Sequence, residues 1–286
     1  MLANLAKGFI RRTVAGFGYE IRRTPLPAAP VGPPVPPAPP PHGIGAMEEF
    51  LRFLHSRGLR PRCILDVGAY RATWATKAAK VFPDARFVLI EPQAELAPDL
   101  AAFLAVRPSG RHVPAGAGAE AGSFALTVGD GPGGLTELTV GDGLDASSFL
   151  PPPDEQLLRT GRQRVVPIVT IDEVVAQEPR LPELVKLDVQ GYELEALKGA
   201  GRLFGHTECF ILEISMFKSS PGMPDFFEVV EFMHRRGYQV YDVCGFMRRP
   251  LDDALGQVDL AFVRSSGPLC RDTRWSNAYG SPPADA

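Results

Sequence analysis

The stretch that most constrains this chain runs Arg62-Cys63-Ile64-Leu65-Asp66-Val67-Gly68-Ala69-Tyr70-Arg71-Ala72-Thr73-Trp74. Its opening apolar run is too short for a helix and reads as a buried parallel strand. Asp66 and Gly68 end that strand, and an Ala-rich helical run, Thr73 to Val81, follows at once. A strand that turns tightly into a helix leaves backbone N–H groups and a helix N-terminus at the strand's carboxyl edge. Ligands of open α/β sheets bind at that edge.

The rest of the chain repeats the same unit. Arg86 to Glu91 reads as a strand, with Pro92 to Val106 as its helix, and Arg111 to Ala115 as a weaker third strand. Leu184 to Asp188 is a buried strand with a helix over Gly191–Phe204. Cys209 to Ile214 is the next strand, with a helix over Asp225–Arg236. No long helix separates Tyr238–Val243 from Val258–Val263, so these two strands pair antiparallel at the sheet edge. The pattern predicts a three-layer α/β sandwich on a mostly parallel, Rossmann-like sheet. A helix over Met47–Arg57 precedes it. Residues 116–164 are rich in Gly and Pro and read as a hairpin and long loops over the sheet edge.

The folded domain is expected over residues 44–265, followed by an irregular tail at 266–286. Residues 25–43 hold ten prolines between Pro25 and Pro41 and read as a stiff polyproline II linker. In residues 1–24, Lys7, Arg11, Arg12, Arg22 and Arg23 oppose only Glu20, while Leu2, Leu5, Phe9, Ile10, Val14 and Phe17 form an apolar side. Two readings stand: an interfacial helix on an anionic membrane, or a short helix docked on its own domain or frayed. The apolar core is too short and broken for a secretory signal. A net charge of −3 gives no drive toward nucleic acid, and the four cysteines lack CxxC spacing. Reduced thiols suit a cytoplasmic protein, with peripheral contact at the inner membrane surface if the first reading of residues 1–24 holds.

Asp66, Glu91 and Asp188 each sit at a strand end, and Glu213 lies close to the end of a fourth. An acid some 25 residues after the glycine turn suits the two hydroxyls of a ribose. The turn is not GxGxxG, and no phosphate loop with lysine occurs. A compact ligand without pyrophosphate fits better than a nicotinamide dinucleotide or a nucleoside triphosphate. The scattered histidines form no zinc-type set, and no metal site is expected.

Asp66-Val67-Gly68-Ala69, Ile90-Glu91-Pro92, Val185-Lys186-Leu187-Asp188-Val189-Gln190-Gly191-Tyr192-Glu193-Leu194, Ile211-Leu212-Glu213-Ile214 and Asp259-Leu260-Ala261-Phe262-Val263-Arg264 together resemble the FkbM-type methyltransferase family. The resemblance spans roughly residues 47–264. It implies a class I fold using S-adenosylmethionine. It implies that Asp66, Gly68 and Ala69 line the methionine part of the cofactor, that Glu91 binds the ribose, and that Asp188 borders the reacting methyl. Tyr70, Pro92 and Ala115 complete the expected cofactor site. Asp188 and Glu213 are the expected bases, by position. His112 and His206 read as surface or packing residues, and Lys186 as the partner of a carboxylate. The implied acceptor is a hydroxyl of a sugar, glycolipid or polyketide-type small molecule.

The family usually has Asn at the position of Tyr70 and Gly at that of Ala72. A methyl at Ala72 disfavours positive φ, and Tyr70 is bulky for a turn beside a ligand. A non-catalytic or weakly active scaffold is therefore the second reading. A nicotinamide-dependent oxidoreductase is the third.

Overall fold

The computed structural model describes residues 43–107, 109–128, 147–150 and 152–273. The basic segment 1–24, nearly all of the proline-rich linker and most of the tail lie outside the described residues. Seven strands form the main sheet: β1 Cys63–Val67, β2 Arg86–Ile90, β3 Arg111–Val113, β7 Leu184–Leu187, β8 Cys209–Ser215, β9 Tyr238–Arg248 and β10 Leu255–Arg264. Their order is β3-β2-β1-β7-β8-β10-β9. The strands from β3 to β8 run parallel, and β10 pairs antiparallel with both β8 and β9. The mostly parallel sandwich with an antiparallel last pair is thus the observed architecture.

Alternation along the buried strands sends side chains to two separate cores. Ile64, Phe87 and Leu89 point to one face, where α1 (Met47–Ser56), α2 (Thr73–Val81) and α3 (Ala97–Ala105) cover them. Cys63, Leu65 and Val67 point to the other, beneath α5 (Ile171–Val175), α6 (Glu193–Lys198) and α7 (Phe226–His234). Two of these helices start in capping boxes, Thr170 with Glu173 and Asp225 with Glu228. The buried Glu178 carboxylate pairs with Arg86 and Arg111, tying the starts of β2 and β3 together.

Four expectations need correction. The run from Pro92 to Val106 opens with a 3₁₀ turn at Ala94–Leu96, and only Ala97–Ala105 is α-helical. The helix after β7 is short, because the chain leaves α6 at Gly199 and makes a 3₁₀ turn at Gly201–Leu203. The region read as a hairpin with loops builds a second sheet. In it β6 (Gln163–Val169) lies between β4 (Gly116–Ala117) and β5 (Gly122–Thr127), after a short helix α4 (Glu155–Thr160). Residues 129–146 of that region lie outside the described set. The last two strands are also longer than expected, since their pairing continues past Val243 to Arg248.

Candidate active site

The turn between β1 and α2 is built by close contact. Gly68 has φ +76°, and a Cβ there would stand 1.9 Å from the Asp188 carbonyl oxygen. Only glycine lets the ends of β1 and β7 approach so closely. The N–H groups of Gly68 and Ala69 both donate to the Ile90 carbonyl, at 2.9 and 3.1 Å. Tyr70 and Ala72 take the left-handed conformation, with φ 48° and 57°. That conformation costs a non-glycine residue roughly 1–2 kcal/mol. The phenol ring of Tyr70 does not line the cavity described below. The Arg71 guanidinium sits 5.4 Å from its centroid.

Glu91 clasps this turn. Its Oε2 accepts the Tyr70 N–H at 2.9 Å and its Oε1 accepts the Gln93 N–H at 3.0 Å. The Gln93 side chain adds a further hydrogen bond to this carboxylate. The side chain is only 3% exposed, and burial pushes its carboxyl up. The Val113 carbonyl accepts N–H groups from both Glu91 (3.1 Å) and Ala115 (2.9 Å), which sets Ala115 beside the end of β2. Pro92, half-buried, carries the chain away from it.

Asp66 is 1% exposed, and its Oδ2 has no hydrogen-bond partner. Burial pushes its carboxyl up to about 8; the Lys186 ammonium opposes this, while Asp188 and Glu91 add to it. Strand register sets Asp66, Glu91 and Asp188 at one edge of the sheet, since Val67 of β1 lies between Ile90 of β2 and Leu187 of β7. Asp66 is enclosed beneath the turn, however, and not presented on its surface.

Lys186 lies in β7 with its side chain 4% exposed, 2.9 Å from Asp188 Oδ2 and 3.4 Å from Asp259 Oδ1. Burial works against its charge, yet Asp188, Asp259 and Glu213 hold it above the ordinary lysine range. Enclosure likewise pushes the Asp188 carboxyl up, but Lys186, with hydrogen bonds from the Glu213 carboxyl and the Gln190 amide, brings it below the usual carboxylate range. Its side chain is 35% exposed, so solvation also favours the ionised form. Glu213 moves the other way: burial, then the Asp188 charge, raise it well above its ordinary value. The carboxamide of Gln190 spans the two acids, with Nε2 3.0 Å from Asp188 Oδ1 and 2.8 Å from Glu213 Oε2.

Asp188, Glu213, Asp259 and Lys186 form the polar wall of a cavity of about 350 Å³. Trp74, Met47, Phe246 and Met247 contribute an apolar wall. Trp74 is 8% exposed, and its indole nitrogen has no acceptor. Gly245 lacks a side chain where one is impossible: a Cβ would stand 2.1 Å from Asp259 Oδ2. The cavity reaches the turn only through Asp188; Gly68, Ala69, Tyr70, Glu91 and Ala115 do not line it.

Glu193, the first residue of α6, is buried. It is 2% exposed, and its carboxylate accepts the N–H groups of Val189 (3.1 Å) and Gly191 (3.2 Å). His112 is spent on the Glu91 carbonyl at 2.9 Å, and His206 contacts the Leu181 carbonyl at 3.2 Å. Neither lines the cavity. Asp259, Trp74 and Gln190 belong to the site but escaped sequence reasoning. Asp259 pairs in register with Glu213 across β10 and β8, which no local pattern reveals. Gln190 stood inside the most specific motif, and its neutral side chain gave no signal. Among the described residues, no group of three or more His, Cys, Asp or Glu is placed to hold a metal.

No curated protein sequence matches this chain. Among solved structures, the methyltransferase FkbM from Methylobacillus flagellatus is 17% identical, with a TM-score of 0.47. The alignment covers 76% of this chain but only 48% of that one. TomG from Streptomyces achromogenes, an O-methyltransferase of tomaymycin synthesis solved in complex with S-adenosylmethionine, is 16% identical, with a TM-score of 0.39 over 76% and 78% of the two chains. Aeropyrum pernix fibrillarin, with natively bound S-adenosylmethionine, is 12% identical, with a TM-score of 0.37 over 74% and 73%. The model of the methyltransferase FkbM domain matches residues 66–240, more than half of the sequence, and the chain belongs to that family.

Proposed function

We propose that this protein transfers a methyl group from S-adenosylmethionine to a hydroxyl of a sugar, glycolipid or polyketide-type acceptor. The observation that carries the reading is the convergence of Asp66, Glu91 and Asp188 beneath and beside one glycine turn. Asp66, with one buried carboxyl oxygen unpartnered, forms the floor of that turn. Glu91, at the end of β2 beside the turn, is the acid placed for the ribose diol. Gly68, Ala69, Tyr70, Pro92 and Ala115 supply the backbone around it.

S-adenosylmethionine supplies a methyl on sulfur that passes to the acceptor oxygen, leaving a thioether and releasing the hydroxyl proton. The chain's own residues then have two tasks. The first is alignment, because an in-line displacement depends on the positions of oxygen and methyl. The cavity beside Asp188 gives the acceptor its place, with Trp74 and Phe246 against its apolar faces. The second is the proton. Glu213 takes it: a carboxylate raised by burial is a stronger base than an ordinary one. Asp188, kept ionised by Lys186, faces the reacting centre as a fixed negative charge.

The scaffold reading rested on Tyr70 and Ala72. Both residues take left-handed backbone in the turn, at φ 48° and 57°. In the proposed reading, residues 1–24 hold the enzyme at an anionic membrane surface where a lipid-linked acceptor would be found. Among the described residues, no helix is long and apolar enough to cross a membrane.

The test is release of S-adenosylhomocysteine from S-adenosylmethionine in the presence of a panel of neutral sugars and polyols, with Asp188→Asn alongside. The expected result is acceptor-dependent release that falls at least tenfold in the variant while its thermal midpoint stays close to wild type. Full activity in Asp188→Asn removes that residue from the catalytic set.

A further inference from the structure

Two acidic side chains that face one cavity repel each other unless something lies between them. In many active sites a metal ion or a lysine does this. Here a neutral amide contacts both Asp188 and Glu213, beside a hydrogen bond between the two carboxyl groups themselves. Gln190 Nε2 stands 3.0 Å from Asp188 Oδ1 and 2.8 Å from Glu213 Oε2. An amide nitrogen carries two hydrogens, so it can donate one to each acid. The reverse orientation would set the amide oxygen against the ionised Asp188 carboxylate, which has no hydrogen to give.

The backbone under this side chain is built for the purpose. Gln190 has φ 51°, a conformation that glycine or asparagine adopts more cheaply. Three contacts impose it. The buried Ser148 hydroxyl donates to the Gln190 carbonyl at 2.9 Å, and the Glu193 carboxylate accepts the N–H groups on either side, from Val189 and Gly191. Gly191, at φ +92°, has no room for a Cβ between Leu150 and Met223. A strained residue held from both sides, with its side chain reaching two acids, marks a functional constraint.

Resting on the methyltransferase reading above, we propose that Gln190 is a positioning residue whose carboxamide holds Asp188 and Glu213 side by side on the cavity wall. It fixes the spacing of the two carboxyl groups and supports the charged form of each. Lys186 does not replace it: its ammonium pairs with Asp188 Oδ2 and Asp259 Oδ1. The groups that face Glu213 are then Asp188 and Lys186 from β7, Asp259 from β10, Glu193 from α6, and the Gln190 amide. All but the amide are charged or titratable, so removing Gln190 alone leaves the charge count of the site unchanged.

The experiment is a ¹³C NMR pH titration of Glu213 and Asp188 side-chain carboxyl carbons in the full chain, for wild type, Gln190→Met and Gln190→Gly. Methionine keeps the volume; glycine relaxes the strained backbone and guards against a variant that fails to fold. Losing a hydrogen bond to a charged group raises a carboxyl by about one pH unit. The expected result is that shift for Glu213 in both variants, with saturable S-adenosylhomocysteine binding by calorimetry retained as the check on folding. Unshifted Glu213 and Asp188 midpoints in both variants overturn the proposal. Wild type that binds no S-adenosylhomocysteine overturns the methyltransferase reading instead, and the titration still decides whether Gln190 holds the pair.

Discussion

Asp66 shows what a single buried acid does to the energetics of the fold. Its carboxyl titrates near 8 in the folded chain against an ordinary value of 3.8. Between those values the native state holds a proton that the unfolded chain has lost. The stability from this group is fully present below its ordinary value and is lost as pH rises through 8, at up to about 1.4 kcal/mol per pH unit. Asp66→Asn removes the dependence and leaves the shape intact. Its urea midpoint is expected to fall less than that of wild type between about pH 5 and about pH 8. Parallel curves for the two proteins would show that Asp66 is ionised in the folded state. The identity of the acids at the strand ends was legible in the sequence. Their separate characters were not: that Asp66 is enclosed, Asp188 held ionised and Glu213 raised depends on neighbours from other strands, above all Lys186 and Asp259.

At the scale of the element, the strand-turn-helix from Cys63 to Val81 carries the design. A short apolar strand and an Ala-rich helix can be read from local pattern alone, and both ends of α2 fall where the pattern puts them. The turn between them has a tertiary cause that no local pattern contains, namely the contact of Gly68 with the Asp188 carbonyl. Gly68→Ala adds a Cβ at positive φ and drives it into that oxygen. The expected cost is about 3 kcal/mol or more, seen as a lowered urea midpoint. A loss below 1 kcal/mol would mean that β1 and β7 can separate there without harm. The same distinction explains the region after β3. Its Gly- and Pro-rich composition signalled turns correctly, but the pairing of β4 with β6 joins residues some fifty positions apart and left no periodic trace.

At the scale of the molecule, seven strands set the order of events. The parallel strands deliver acids to a single edge, and the antiparallel β9–β10 pair closes the far side of the cavity with Gly245, Phe246 and Asp259. That closure was half legible: the antiparallel pair is evident in the sequence, its extension past Val243 is not. The terminal segments add a separate prediction. A chain lacking residues 1–41 is expected to keep the thermal midpoint of the full protein and to bind anionic vesicles less well. Equal vesicle binding by the two forms would retire the membrane role. The central claim is that acids from separate strands hold one adenosine compound, and calorimetric titration of the full chain with S-adenosylhomocysteine tests it most directly. The account predicts saturable one-to-one binding that Glu91→Ala weakens by roughly 1–3 kcal/mol. No heat of binding at millimolar ligand, or an unchanged affinity in Glu91→Ala, would contradict it.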